Sequence, residues 1–188
     1  MNTPTRARRS GARDRLIAAA ERLFYAEGIH AVGVDRLCAE AAVSKRSLYQ
    51  HFAGKDEVVT VMLQAKAAEA LTHLAPDDTP PRGRIMWVFE QLEQAIDSPD
   101  FYGCPFVSAA TELKDRDHPA VHVARAEKLA LTRYFTDALR AGGVRDPESV
   151  ALQLTLLFDG ASAYAVVHGG STPATRQAVT TILATAGI

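Results

Sequence analysis

The chain has 188 residues, 47% of them hydrophobic and 23% charged, with a net charge of −1; this is enough apolar content for one sizeable core or two smaller ones and excludes a disordered or fibrous chain. The charge is uneven, because residues 1–55 hold ten Lys/Arg against five Asp/Glu and the excess of acid lies beyond them. Cysteine is scarce: Cys38 and Cys104 lie in different regions without CxxC spacing, which leaves no disulfide framework or thiolate zinc site to expect and fits reduced thiols in a cytosol.

At the N-terminus, Arg6, Arg8 and Arg9 read either as an arm that reaches phosphates or as an ordinary polar start, within a basic tail of residues 1–12 expected to be flexible. No apolar run follows them, since Ser10, Gly11, Arg13, Asp14 and Arg15 intervene. A secretory leader is therefore not expected, and the chain is read as cytoplasmic.

A first helix is predicted from about Arg13 to Glu27, with Leu16, Ile17, Ala20, Leu23 and Phe24 on its inner stripe and Gly28 as its stop. Val34, Leu37, Cys38 and Ala41 then recur at helical spacing, which anchors a short helix and leaves Asp35, Arg36 and Glu40 facing water. Cys38 lies on that apolar stripe and reads as a small core residue. Ser44 is placed to cap a further helix from Lys45 to His51, on which Leu48 and Phe52 fall four apart and turn inward. That leaves Lys45, Arg46, Ser47, Tyr49, Gln50 and His51 on a face of hydrogen-bond donors. Two short helices around a tight turn, the second offering its start to base edges, form a helix-turn-helix suited to the major groove of DNA.

The segment VSKRSLYQHFAGKDEVV closely resembles the end of the DNA-binding domain of TetR-type transcriptional regulators, and ARDRLIAAAERLFYAEGIHAVGV before it extends the resemblance. Looser features run on to the C-terminus. The resemblance implies that Ser44, Lys45, Ser47, Tyr49 and His51 meet phosphates or bases and that Lys55 meets the DNA backbone at the head of the next helix; Arg36, Arg46 and Gln50 complete the expected DNA-binding set. Gly33 stands where the family often has a capping Thr, at a cost of a few tenths of a kcal/mol. Ala42 stands where it often has a turn Gly, at about 1 kcal/mol. Arg46 replaces a frequent Gly, and it either grips guanine O6 and N7, worth about 1–3 kcal/mol of discrimination, or meets a phosphate or solvent.

After Lys55 a helical pattern runs to about Leu74 through Val58, Val59, Met62, Leu63 and Ala70, until APDDTPPRG breaks it. Residues 13–55 are thus expected to form the DNA-binding domain, 56–74 a connecting helix and 84–188 a second domain. Helices are predicted there near 84–97, 105–115, 119–141, 147–168 and 173–186, with Pro105, Pro119, Pro147 and Pro173 in first turns and Gly142, Gly143, Gly169 and Gly170 at stops. The fold class is all-α, with about nine helices and no strand pattern.

The stretch Val150–Val167 is apolar enough to consider as a membrane span, yet Asp159 near its middle would cost about 2.5–3.5 kcal/mol there, so it reads as a buried helix and no membrane partner is expected. It and the last helix want a partner, which a two-fold dimer supplies, as in the resembling family. Leu154, Leu157, Ala161, Ala178 and Ile182 are the expected interface, and a dimer would read an inverted repeat.

Met86, Trp87, Phe89, Phe101, Tyr102, Phe106, Tyr134, Phe135, Phe158 and Tyr164 supply aromatic and flexible apolar surface in helices that line the ligand cavity of similar regulators. Met86, Trp87, Phe89, Tyr102, Phe106, Tyr134, Phe158 and Tyr164 are accordingly expected to form a pocket for a largely apolar effector, beside the reading of such residues as plain core. Cys104, within FYGCPF, reads either as an exposed sensor thiol or as a structural residue. His118 and His122, four apart, have metal-compatible spacing, but Pro119 at a helix start and Asp117 or His118 at its cap explain the same residues structurally, so no metal and no cofactor are expected. His168, before Gly169, suits a helix C-terminus.

No nucleophile–base pair, phosphate loop or catalytic carboxylate pair appears, so an enzyme is not expected. The sequence reads as a DNA-binding transcriptional regulator, by family habit a homodimeric repressor released from a palindromic operator by a small molecule. The rival is a helical protein-interaction module of the same fold without operator binding.

Overall fold

The computed structural model describes residues 11–76 and 78–188, and among them the chain forms nine helices and no strand. Arg6, Arg8 and Arg9 lie outside the described residues. The helices are α1 (Ala12–Glu27), α2 (Val34–Glu40), α3 (Lys45–His51), α4 (Lys55–Thr72), α5 (Pro81–Ile96), α6 (Pro105–Leu113), α7 (Pro119–Ala141), α8 (Pro147–His168) and α9 (Pro173–Ala186).

Proline and glycine set most of these bounds. Each of α5 to α9 opens on Pro, whose missing N–H falls among those a first turn leaves without an intrahelical acceptor. Helix α5 begins at Pro81, three residues earlier than its apolar stripe, because Pro81 itself supplies the first turn. Gly28 ends α1 at φ 92, a backbone region that a side chain disfavours. Helix α6 stops at Leu113, two residues short of the apolar pattern, where Lys114 takes a left-handed φ of 56.

The chain divides into two compact units between Met62 and Leu63, within α4. In the first, Leu16, Ala19, Ala20, Leu23 and Phe24 of α1 are buried, as are Leu37 and Cys38 of α2, Leu48 of α3 and Val58, Val59 and Met62 of α4. The side chains of Ile29, Val32 and Phe52 fill the gaps between them. Removing each such side chain from water contributes roughly 1.5–3 kcal/mol, which short helices of seven residues need because they are marginal alone.

The second unit is built on α7 and α8, the two longest helices. Phe89 of α5 stacks on Phe135 of α7 at 5.9 Å and meets Phe158 of α8 edge-on at 6.0 Å. Leu139, Leu154, Val179 and Leu183 complete that core, and a second cluster gathers Leu92, Ile96, Ala161 and Ala165. Between α7 and α8 the hydroxyls of Thr132 and Thr155 lie 2.9 Å apart, so each polar group is satisfied where it is removed from water. Helix α8 is long and apolar enough to cross a membrane, with a mean hydropathy of 1.5. Its Ala151, Leu154, Thr155, Ala161 and Ala165 are nevertheless buried against its own unit, and its Asp159 is bound by Lys128 of α7 at 2.8 Å.

Candidate functional site

The turn between α2 and α3 is fixed by backbone and side chain together. Ala42 adopts φ 51, Val43 donates its N–H to the carbonyl of Cys38, and Arg15 of α1 donates from Nε to the carbonyl of Ala41 at 3.1 Å. Ser44 then caps α3, its Oγ accepting the N–H of Ser47 at 3.1 Å. Gly33 caps α2 without any side-chain acceptor.

With Leu48 fully buried and Phe52 nearly so, the geometry of α3 turns Lys45, Arg46, Tyr49, Gln50 and His51 to the surface, with Ser44 beside them and Ser47 half-buried. Tyr49 is 57% exposed, which is unusual for a large aromatic ring in a unit this small and suits a side chain awaiting a surface. The ammonium of Lys45 lies 2.6 Å from Asp35 of α2, an attraction that raises the pKa of Lys45. Burial pushes the Cys38 thiol up as well, which suits the core position predicted for it.

Besides Ser44 and Lys45, the expected DNA-binding residues Arg36 and Lys55 also have intramolecular partners. Arg36 joins Glu27 of α1 at 3.1 Å and Glu40 of α2 at 3.9 Å, and Glu40 is also held by Arg22 at 2.9 Å, which lowers its pKa. Lys55 donates to the carbonyls of Ile29 at 3.0 Å and Val32 at 3.3 Å, so it ties the α1–α2 loop to the start of α4. The sequence pattern offers no sign of this tether, since an exposed Lys at a helix start looks the same whether it reaches outward or inward. At the same helix start, Glu57 accepts the N–H of Ala53 at 2.6 Å.

The second unit contains a cavity of about 1200 Å³, somewhat larger than the roughly 300–1,000 Å³ that small-molecule sites usually span. Phe101, Phe106, Tyr134 and Phe158 line it, together with Gln64, Ala67, Ala68, Ala70 and Leu71 from the C-terminal half of α4. Of the eight residues expected in a pocket, Phe106, Tyr134 and Phe158 are there. Phe89 belongs to the core instead, Met86 packs against that core, and Trp87 donates its indole N–H to the carbonyl of His73 at 2.9 Å. Tyr102 is 45% exposed, and Tyr164 stacks on His168 at 3.9 Å on the outer side of α8. Helical spacing identifies a buried face but does not say which part of it meets neighbouring side chains and which part meets a void.

Charge enters this cavity with Glu127 and Lys128 of α7. Lys128 Nζ lies 2.8 Å from Asp159 Oδ1, 3.8 Å from Glu127 Oε2 and 5.0 Å from the centre of the Phe158 ring. Burial raises the pKa of Glu127, Lys128 opposes this and Asp159 adds to it. Neither Glu127 nor Lys128 stands out in the sequence; the signal was Asp159, a carboxylate in an apolar helix that demands a cation opposite. Cys104 precedes Pro105 at the start of α6 and lines the same cavity. His118 caps α7, its Nδ1 accepting the N–H of Ala120 at 3.1 Å, and His168 Nδ1 meets the carbonyl of Tyr164 at 3.0 Å at the end of α8.

Two of the five expected dimer residues, Leu154 and Ala161, need correction. Leu154 is completely buried and Ala161 nearly so within their own unit, because they face the α5 and α7 side of α8 and have almost no surface left to give a partner. Leu157, Ala178 and Ile182 are half-buried. The exposed stripe of α8 consists of Leu152, Leu156, Gly160, Ala163 and Val167, which fall on one side of the helix.

A helix-turn-helix with a donor-rich second helix, followed by a larger helical unit, defines a class of DNA-binding regulators, and comparison with known proteins agrees. The family model described as bacterial regulatory proteins, tetR family, matches residues 16–62. A crystal structure described as a TetR transcriptional regulator from Streptomyces avermitilis is 41% identical, with coverage of 95% of this chain and 100% of that one and a TM-score of 0.89. The transcriptional regulator TtgR of Pseudomonas putida is 27% identical over 165 residues, 79% of this chain and 77% of its own. The transcriptional activator FasR of Mycolicibacterium smegmatis is 44% identical over 52 residues, so the chain spans only 24% of that relative's length. The chain belongs to the TetR family and is a DNA-binding transcriptional regulator.

Proposed function

We propose that the protein is a cytoplasmic homodimeric repressor that occupies a palindromic operator and leaves it when a small molecule enters the cavity of the second unit. The observation that carries this reading is the exposed face of α3, where Arg46, Tyr49, Gln50 and His51 lie at the surface beside Lys45, itself paired with Asp35, on a helix held from behind by Leu48. Arg46 and Gln50 are suited to base edges, while Ser44, Ser47, Tyr49, His51 and Lys45 are suited to phosphates, with Arg36 and Lys55 shaping the support through their intramolecular partners.

Two units divide the labour. The first reads DNA, and the second dimerises through the exposed stripe of α8 with α9 and takes up the effector beside Phe101, Phe106, Tyr134 and Phe158. Helix α4 carries the message in this reading, because its residues Gln64–Leu71 line the cavity while its first residue, Lys55, holds the α1–α2 loop. An effector that fits the cavity only with α4 shifted selects the arrangement that fails to span two half-sites. FasR, 44% identical over 52 residues, is named an activator, so a repressor is the family-habit reading and not one read from the DNA-binding helices.

The deciding experiment is selection of the full-length protein on random duplex DNA near physiological salt, with sequencing of the retained pool. An enriched inverted repeat, with half-sites one helical turn apart, is the expected result. A folded dimer that enriches no motif would overturn operator recognition by the unliganded protein.

A further inference from the structure

We propose that the cavity's ligand is an organic cation, an apolar body bearing one ammonium, amidinium or phosphonium-type charge, and that Glu127 is the residue that receives it. This rests on the reading of the cavity as the effector site and adds the chemical class of what it admits.

The inference begins with the charges on the cavity's floor. Lys128 stands between two carboxylates, close to Asp159 at 2.8 Å and distant from Glu127 at 3.8 Å. One ammonium thus faces two carboxylates, and Glu127 Oε2 and Asp159 Oδ1 are both buried without a hydrogen-bond partner, but of the two residues Glu127 is the one that lines the cavity. Only 15% of the Glu127 side chain is exposed, and its Oε2 is buried with no hydrogen-bond partner. Glu127 lines the cavity, and rotation about its last torsion exchanges its two oxygens, so either can meet a donor brought into that space. A buried carboxyl with no donor is costly, and a cation or N–H group arriving in the cavity removes that cost. Burial has already raised the pKa of this carboxyl, as such a deficit requires.

The walls agree with the floor. Phe101, Phe106, Tyr134 and Phe158 line the cavity with aromatic surface suited to an apolar body, and two of these rings already take a cation, Phe158 from Lys128 and Tyr134 from Arg84, each at 5.0 Å. An anionic ligand meets the reverse situation. Lys128 is already held by Asp159, so an anion beside it would add a third negative charge to the group and compete with a carboxylate fixed on α8. Arg133 also borders the cavity, but it is exposed to water, where its charge is screened.

Two probes of nearly equal size and opposite charge test this: tetraphenylphosphonium and tetraphenylborate, titrated calorimetrically into the full-length protein and into Glu127→Gln, at one pH above neutrality and one ionic strength. The expected result is saturable binding of the phosphonium at least about tenfold tighter than the borate, with the preference largely erased in Glu127→Gln. Borate binding as tight as phosphonium binding would overturn the cation proposal and leave the cavity as an effector site. Failure of both probes to bind would overturn the effector-site reading and the proposal with it. A phosphonium preference that persists undiminished in a folded Glu127→Gln would overturn the assignment to Glu127. Thermal melting of each variant confirms its fold, and should Glu127→Gln fail to fold, Asp159→Asn supplies the same comparison by removing the other carboxylate of the group.

Discussion

Lys45 on the recognition helix lies 2.6 Å from Asp35 on its supporting helix, and both side chains are more than half exposed. On the proposed reading of α3, this carboxylate competes with DNA phosphates for the ammonium. Asp35→Asn is expected to raise affinity for any duplex several-fold at low salt, with the gain shrinking as salt rises, and to leave the melting temperature almost unchanged, because exposed ion pairs contribute little. Fluorescence anisotropy with operator and with unrelated DNA checks it; an affinity that stays the same or falls would show that Asp35 helps to hold Lys45 in its binding pose.

Ala42 offers a cleaner stability experiment. Its φ of 51 is left-handed and costs a residue with a Cβ about 1 kcal/mol relative to glycine, part of which glycine returns through its freer unfolded chain. Ala42→Gly is expected to raise the urea midpoint of the DNA-binding unit's transition slightly and to leave the recognition helix intact.

Lys55 should behave as a structural residue as much as a DNA contact. Lys55→Met removes the two hydrogen bonds that Lys55 donates to the carbonyls of Ile29 and Val32, a loss of about 1–3 kcal/mol. The check is denaturation in the absence of DNA, where a residue acting solely on phosphates would leave the curve unmoved.

On α8, neighbouring positions should fail in opposite ways. Leu156 is 64% exposed and Leu154 is fully buried. Leu156→Glu is expected to keep the fold and yield monomers by light scattering, whereas Leu154→Ala is expected to lower stability by about 2–5 kcal/mol through the cavity it leaves. A dimeric Leu156→Glu would move the interface off this stripe.

Glu127 sets a pH dependence whose sign follows from its raised pKa. The folded state holds the proton more tightly than the unfolded state, so that contribution is fully present below the ordinary carboxylate pKa and is lost as pH rises through the raised value. Wild type should lose stability relative to Glu127→Gln across that interval, as followed by thermal melts from acid to neutral pH.

Much of this architecture was legible because each helix carries its own punctuation: Ser44 before α3, Pro119 and Pro147 at first turns, Gly28 and Gly169 at ends. The inward turn of Leu48 and Phe52 follows from a spacing of four, and with it the outward face of α3. What spacing could not supply is which residue across a gap answers which. Lys128 and Asp159 are 31 positions apart, and only the packing of α7 on α8 joins them. Phe89 and Phe106 are both aromatic residues on helices, yet one fills the core and the other borders the cavity, because that depends on what the next helix leaves empty. Leu154 was misplaced for the same reason: in a helix apolar on nearly every side, composition does not identify the side its own unit claims.

The chain holds a single tryptophan, Trp87, whose indole N–H is donated to the carbonyl of His73 just beyond α4, while its neighbour Val88 lines the cavity. An indole so placed is a built-in fluorophore at one spot, and any ligand that displaces the end of α4 lengthens or breaks that one hydrogen bond. The emission maximum of the unlabelled protein should therefore report occupancy of the cavity on its own, with no background from a second indole.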